Sequence, residues 1–171
     1  MSLGLYLHIP YCFSKCRYCD FYSAPGQRGV PRAYVDALLR ELSRFAPDAP
    51  LRPDTLYFGG GTPSLLDPAD AARLIDAAQP LPGAEITLEA NPETVTEDSL
   101  RAFREAGVNR ISFGVQSARD SQLKTLGRPT RQSRRGPLSP PHAGPGSRTS
   151  AATSCWPCPI IRRPSSTRRW S

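Results

Sequence analysis

The chain has 171 residues, of which 39% are hydrophobic, with 22 Lys and Arg set against 15 Asp and Glu for a formal charge of +7. That length can bury one sizeable core. No apolar run approaches the roughly 18 residues of an integral membrane segment, and the N-terminus lacks the basic start and apolar middle of a signal peptide, so a cytoplasmic location is expected, where thiols stay reduced.

Taken in order, the chain alternates strand and helix. Leu5 to Ile9 reads as a strand entering a cysteine-rich loop. Pro31 then opens a helix that places Val35, Leu38, Leu39, Leu42 and Phe45 on one face, the stripe of a helix packed on a sheet. Thr55 to Phe58 is a short apolar strand. The next helix starts at Asp67-Pro68, a capping acid before a proline at the first helical position, with Leu74 and Ile75 inward. Glu85 to Glu89 is a third strand, and Thr96 caps a third helix through Leu100 and Phe103 that Gly107 ends. Arg110 to Gln116 is the fourth strand. One helix between successive strands implies parallel pairing with crossover helices, an α/β barrel or open sheet. Four such units leave an open edge and an apolar face that further units should cover.

The first strand leads into Cys12-Phe13-Ser14-Lys15-Cys16-Arg17-Tyr18-Cys19, three thiols spaced C-x3-C-x2-C. Three thiolates on one tight loop can hold three corners of a cubic [4Fe-4S] cluster and leave its fourth iron open to a small molecule. A zinc site would need a fourth nearby ligand, and a disulfide would leave an odd thiol. The loop resembles the signature of the radical S-adenosylmethionine superfamily. More narrowly, Leu7-His8-Ile9-Pro10-Tyr11-Cys12 and Tyr18-Cys19-Asp20-Phe21 resemble the family of oxygen-independent coproporphyrinogen III oxidase and its close relative, the heme chaperone. The resemblance implies an incomplete TIM-type barrel, a cluster on Cys12, Cys16 and Cys19, and S-adenosyl-L-methionine bound at the open iron.

In such barrels the working residues sit at the C-terminal ends of the strands. After the second strand comes Gly59-Gly60-Gly61-Thr62-Pro63, where missing side chains let a ligand approach backbone N–H groups. By resemblance Gly60, Gly61 and Thr62 lie against the methionyl end of S-adenosylmethionine. The third strand ends in Glu89-Ala90-Asn91-Pro92, which resembles the family's Glu-x-x-Pro and makes Glu89 an acceptor for the ligand. Gly114-Val115-Gln116-Ser117 and Leu126-Gly127-Arg128 also match, so Gln116 and Arg128 are expected at the ligand. Tyr6 lies where the family has a tyrosine near S-adenosylmethionine, and Tyr18 is expected to shield the cluster or stack on adenine. His8 is expected to be a buried histidine satisfied by a neighbour rather than a metal ligand.

The resemblance stops at Arg128. All 15 acids precede Pro129, whereas residues 129 to 171 hold eight arginines, eight prolines and eight serines with no acid and no period of helix or strand. Such a segment cannot bury enough apolar surface to offset its ordering entropy and is expected to be disordered. Codons rebuilt from the last base of one residue and the first two of the next point to a slipped frame. Cys155-Trp156 must then give leucine and Trp156-Pro157 alanine, and the neighbours permit Asp-Leu-Leu-Leu-Ala-Leu-Pro, which resembles the family's next strand. The chain therefore divides into residues 1 to 128, the N-terminal part of the barrel, and residues 129 to 171, read out of frame after one lost base or two gained. The Cys155-Trp156-Pro157-Cys158 pair and the arginines of the tail are by-products of that slip, and no nucleic-acid partner is expected.

Position 21 separates the family's two branches. The decarboxylase has a further cysteine two places after the third, and this chain has Phe21, as the heme chaperone does. The expectation is a chaperone that binds heme and passes it to an acceptor protein. The alternatives are radical decarboxylation of coproporphyrinogen III and a truncated product that does neither.

Overall fold

The computed structural model describes residues 2–47 and 50–128, together with the backbone of residues 148–150. Strands β1 (Gly4–Ile9), β2 (Thr55–Gly60), β3 (Glu85–Ala90) and β4 (Arg110–Phe113) pair in parallel in the order of the sequence. A three-residue strand β5 (Arg148–Ser150) adds in parallel along β4. This is the one described piece of the tail; the expectation of disorder otherwise falls outside the described residues. Helices α1 (Arg32–Phe45), α2 (Pro68–Ala78) and α3 (Glu97–Glu105) make the crossovers, and a short helix α4 (Asp120–Thr125) follows β4.

Local chemistry explains most boundaries. Pro31 precedes α1, where its fixed φ suits a helix start. The Asp67 carboxylate accepts from the Ala69 N–H at 2.8 Å, capping α2. Thr96 and Ser99 cap α3 reciprocally, each side chain accepting the other's backbone N–H. Gly107, at φ +107°, turns the chain out of α3 in a conformation that favours glycine. Two elements differ from the sequence reading. Strand β4 stops at Phe113, three residues before Gln116, because Gly114 to Ser117 fold back on themselves: the Val115 and Ser117 N–H groups donate to carbonyls two residues earlier, and Gln116 sits at φ +58°. Helix α4, with six residues, carries too little periodicity to be read from sequence.

Alternation along the strands sorts side chains onto two faces. On one, Leu7, Ile9, Leu56, Phe58, Ile86 and Leu88 are buried with Val35 and Leu42 of α1, Leu74 and Ile75 of α2 and Phe103 of α3. Within α1 the expected stripe runs one turn too long, since Phe45 is 76% exposed at the helix end. The other face is polar. Pairing aligns Tyr6 with Tyr57, Tyr57 with Thr87 and Thr87 with Arg110, and one step on it aligns His8 with Gly59 and Glu89 with Ser112. The expectation of a bare apolar face is therefore corrected: the apolar side is the one the helices cover, and the side without a described helix carries Tyr, His, Thr, Glu, Arg and Ser. An ordinary barrel interior of this kind is packed with branched apolar residues.

Candidate functional site

The cysteine loop leaves β1 at Pro10 and is closed at its neck by four backbone hydrogen bonds. Ala24 N–H donates to the Pro10 carbonyl at 2.6 Å, Cys12 N–H to Ala24, Gly26 N–H to Phe13, and Gln27 N–H to Cys12. Inside the loop the Lys15 ammonium donates to the Phe21 carbonyl at 2.8 Å and the Ser23 hydroxyl at 3.1 Å, and Cys19 N–H donates to the Cys16 carbonyl. All three thiols are free; Cys12 is buried and Cys16 and Cys19 are half-buried. Phe13, Phe21 and Tyr22 stand exposed around them at 56%, 57% and 84%. Among the described residues no group of three His, Cys, Asp or Glu side chains converges on a point as one ion requires. A cubic cluster asks for something else, three sulfurs each bonded to its own iron, and free thiols on a pinned loop fit that demand.

The three glycines at the end of β2, Gly59 and Gly60 within it and Gly61 just after, turn out to be dictated by packing. A Cβ on Gly59 would meet the Tyr6 ring at 2.7 Å, one on Gly60 the His8 ring at 2.7 Å, and one on Gly61 the Tyr11 carbonyl at 2.7 Å and the Cys12 sulfur at 2.9 Å. The N–H groups expected to face a ligand are already used. Gly60 N–H donates to Glu89 Oε2 at 3.2 Å, Gly61 N–H to the Ile9 carbonyl at 2.8 Å and Thr62 N–H to the Tyr11 carbonyl at 2.8 Å. Glycine thus lets the second strand end lie directly against the cysteine loop.

Around that contact the predicted residues gather in two connected groups. In the first, Glu89 Oε1 accepts from the Tyr57 hydroxyl at 2.8 Å, and Tyr6 stacks on Tyr57 with ring centroids 5.9 Å apart. Burial and the Glu89 carboxylate push the Tyr57 phenol up to about 12, and the same two causes raise Tyr6. His8 shares hydrogen bonds with the Tyr6 hydroxyl and the Tyr22 carbonyl, so it is satisfied by neighbours, though only half-buried. In the second group Arg128 ties three segments together. Its guanidinium donates to Asn91 Oδ1 at 2.7 Å, Glu93 Oε1 at 3.2 Å and the Tyr18 hydroxyl at 3.3 Å. Burial raises the Cys16 thiol, while the Arg128 charge and the Tyr18 hydroxyl pull it down. Arg17 N–H donates to the Leu126 carbonyl, which fastens the segment after α4 to the cysteine loop. Gln116 reaches the same corner: its amide and the Arg128 guanidinium are both neighbours of Gly114.

Thr62 is 3% exposed, its hydroxyl lying between Asn91 Nδ2 at 3.1 Å and the Cys12 sulfur at 3.5 Å. Sequence reasoning missed Asn91 as a member of the site and Tyr57 as the partner of Glu89. Asn91 lay in the quoted motif, and an amide at a strand end beside three candidate side chains was the signal available.

The description Radical SAM superfamily matches residues 6–135. Among curated proteins the chain is 48% identical over 132 residues to the heme chaperone HemW of Escherichia coli (strain K12), a match covering 74% of this chain and 35% of that protein. It is 41% identical over 135 residues to the radical S-adenosyl methionine domain-containing protein 1, mitochondrial, of Bos taurus, covering 73% and 29%. Among solved structures it aligns with the coproporphyrinogen III oxidase (HemN) of Escherichia coli, described as a Radical SAM enzyme, with a TM-score of 0.68 and 32% identity over 75% of this chain and 31% of that one. The chain spans about a third of the length of these relatives.

Proposed function

Because the chain belongs to the Radical SAM superfamily, we propose that Cys12, Cys16 and Cys19 hold a [4Fe-4S] cluster, that S-adenosylmethionine binds against the strand ends, and that the protein works as a heme chaperone. When bound, the cluster supplies an electron to S-adenosylmethionine. This chain's own residues do the rest: the exposed ring of Tyr6 and the half-buried Glu89, Gln116 and Arg128 line the polar strand ends, and Tyr18, hydrogen-bonded to Cys16, shields the cluster. Heme is bound and handed to an acceptor protein in the cytoplasm, where thiols stay reduced. The observation that carries the chaperone branch is Phe21, exposed on the cysteine loop where the decarboxylase has a cysteine. Relatives named heme chaperone support the same branch. The structural likeness to a coproporphyrinogen III oxidase favours decarboxylation as the second reading.

The frame slip after Arg128 belongs to this proposal, with residues 129 to 171 lying outside the functional unit. One base inserted after codon 128 should yield a protein that binds heme, read as a Soret band, and leaves coproporphyrinogen III unconverted in the presence of S-adenosylmethionine and a reductant. Formation of protoporphyrinogen would reverse the ranking. An unaltered 171-residue chain whose tail resists protease as strongly as its sheet would refute the slip.

A further inference from the structure

The orientation of one amide assigns direction to a chain of hydrogen bonds that runs from a part-buried arginine to a buried sulfur. Arg128 has no acceptor, so the group of Asn91 that faces it must be the oxygen. The Asn91 amine then faces Thr62 and donates to its hydroxyl oxygen at 3.1 Å. With that lone pair occupied by a donor, the single hydroxyl hydrogen of Thr62 is left for the Cys12 sulfur at 3.5 Å, a contact buried on both sides. Every donor points the same way, from a cationic guanidinium through an amide and a hydroxyl to a ligand sulfur. The members of such a chain polarise one another, and the low dielectric around the buried Thr62–Cys12 contact strengthens that last bond. Asn91 is itself fixed, since the Thr94 N–H and hydroxyl both donate to its carbonyl.

We propose that Thr62 is a positioning residue of the cluster site, donating to the Cys12 sulfur under the direction of Asn91 and Arg128 and thereby setting the cluster's reduction potential. Hydrogen bonds to cluster sulfurs draw off electron density and favour the reduced, more negative form. The hydroxyl of Thr62 is thus turned toward the protein's own ligand rather than toward S-adenosylmethionine. This inference rests on the cluster reading above, and the experiment separates the two.

The 171-residue chain and its variants are reconstituted anaerobically with iron and sulfide, and the midpoint potential is followed by EPR of the reduced cluster. T62V keeps the shape and removes the hydroxyl, so its midpoint should move to a more negative value, while T62S should return to the parental one. N91D replaces the amine with an acceptor and turns the Thr62 hydrogen away from sulfur, so it too should shift the midpoint negative. Most of that shift should vanish when N91D is placed in the T62V background, because both act through one hydrogen bond. A T62V midpoint equal to the parent, or fully additive shifts in the double variant, overturns the relay. Should T62V take up no cluster, a displaced N91D with an unmoved T62S supports the relay and an unmoved N91D overturns it. A parent chain that takes up no cluster overturns the cluster reading itself.

Discussion

The two faces of the sheet are made by the same strands and have opposite chemistry. In β1 the residues Leu7 and Ile9 are buried under helices, while their neighbours Tyr6 and His8 join a hydrogen-bonded polar group. In β2, Phe58 is fully buried and Tyr57 holds a carboxylate. Parallel strands covered on both sides usually read as continuous apolar runs; here one residue in two is withheld from the core. The division separates stability from chemistry, so substitutions on one face should unfold the chain and those on the other should disturb the site.

The largest expected effect lies at the rim where both faces end. Alanine at Cys12, Cys16 or Cys19 should abolish the reconstituted cluster's absorption, whereas alanine at Cys155 and Cys158 together should leave it, and its shift on adding S-adenosylmethionine, unchanged. Loss of the cluster from the second pair would sink the assignment. Next comes a matched pair across the sheet. F58A removes a ring with no exposed surface and should cost about 3 to 5 kcal/mol of stability, a large part of the roughly 5 to 15 kcal/mol of a typical domain. Y6A removes a ring that is 55% exposed and should cost only about 0.5 to 1.5 kcal/mol through its lost stacking on Tyr57. Equal losses in urea unfolding would erase the contrast between the faces.

The smallest effect is a titration. The folded pKa of Tyr57, raised to about 12 by burial and Glu89, lies above its ordinary value of 10.0. A raised folded pKa means that its contribution is fully present below pH 10 and is lost as pH climbs toward about 12. Because the ring is only half-buried the contribution is modest. In E89Q the phenol should ionise at lower pH, read at 295 nm; an unmoved transition would show that the carboxylate plays no part.

The strands and helices that build the sheet were legible in the sequence, because short apolar runs and helical stripes are local signals. Asp67, Thr96 and Gly107 marked helix ends correctly through caps and a positive φ that need no tertiary information. The list of strand ends also named Cys12, Thr62, Glu89 and Arg128, which the structure brings together. What stayed hidden depended on contacts between distant segments. The glycines of β2 looked like an opening for a ligand, yet their role is set by Tyr6, His8 and Tyr11 pressing from β1 and the loop after it. Asn91 became visible as a hub only once Arg128, 37 residues away, was seen to donate to it. Likewise, the uncovered face was expected to be apolar because a sheet's two sides cannot be told apart until helices are placed on one of them.

The closed neck of the cysteine loop bears on the thermodynamics of metal uptake. In metal-dependent small folds the ligands are scattered in the free chain, so binding free energy is consumed in ordering them and removal of the metal unfolds the protein. Here the backbone bonds between Pro10 to Phe13 and Ala24 to Gln27, with the Lys15 clip inside them, close the loop that carries the three thiols before any iron arrives. The entropy of closing the loop is charged to the fold of the sheet, and the apparent affinity for the cluster rises by the amount saved. Oxidative loss of the cluster should therefore leave a receptive site that can be refilled, rather than a chain that has to fold again.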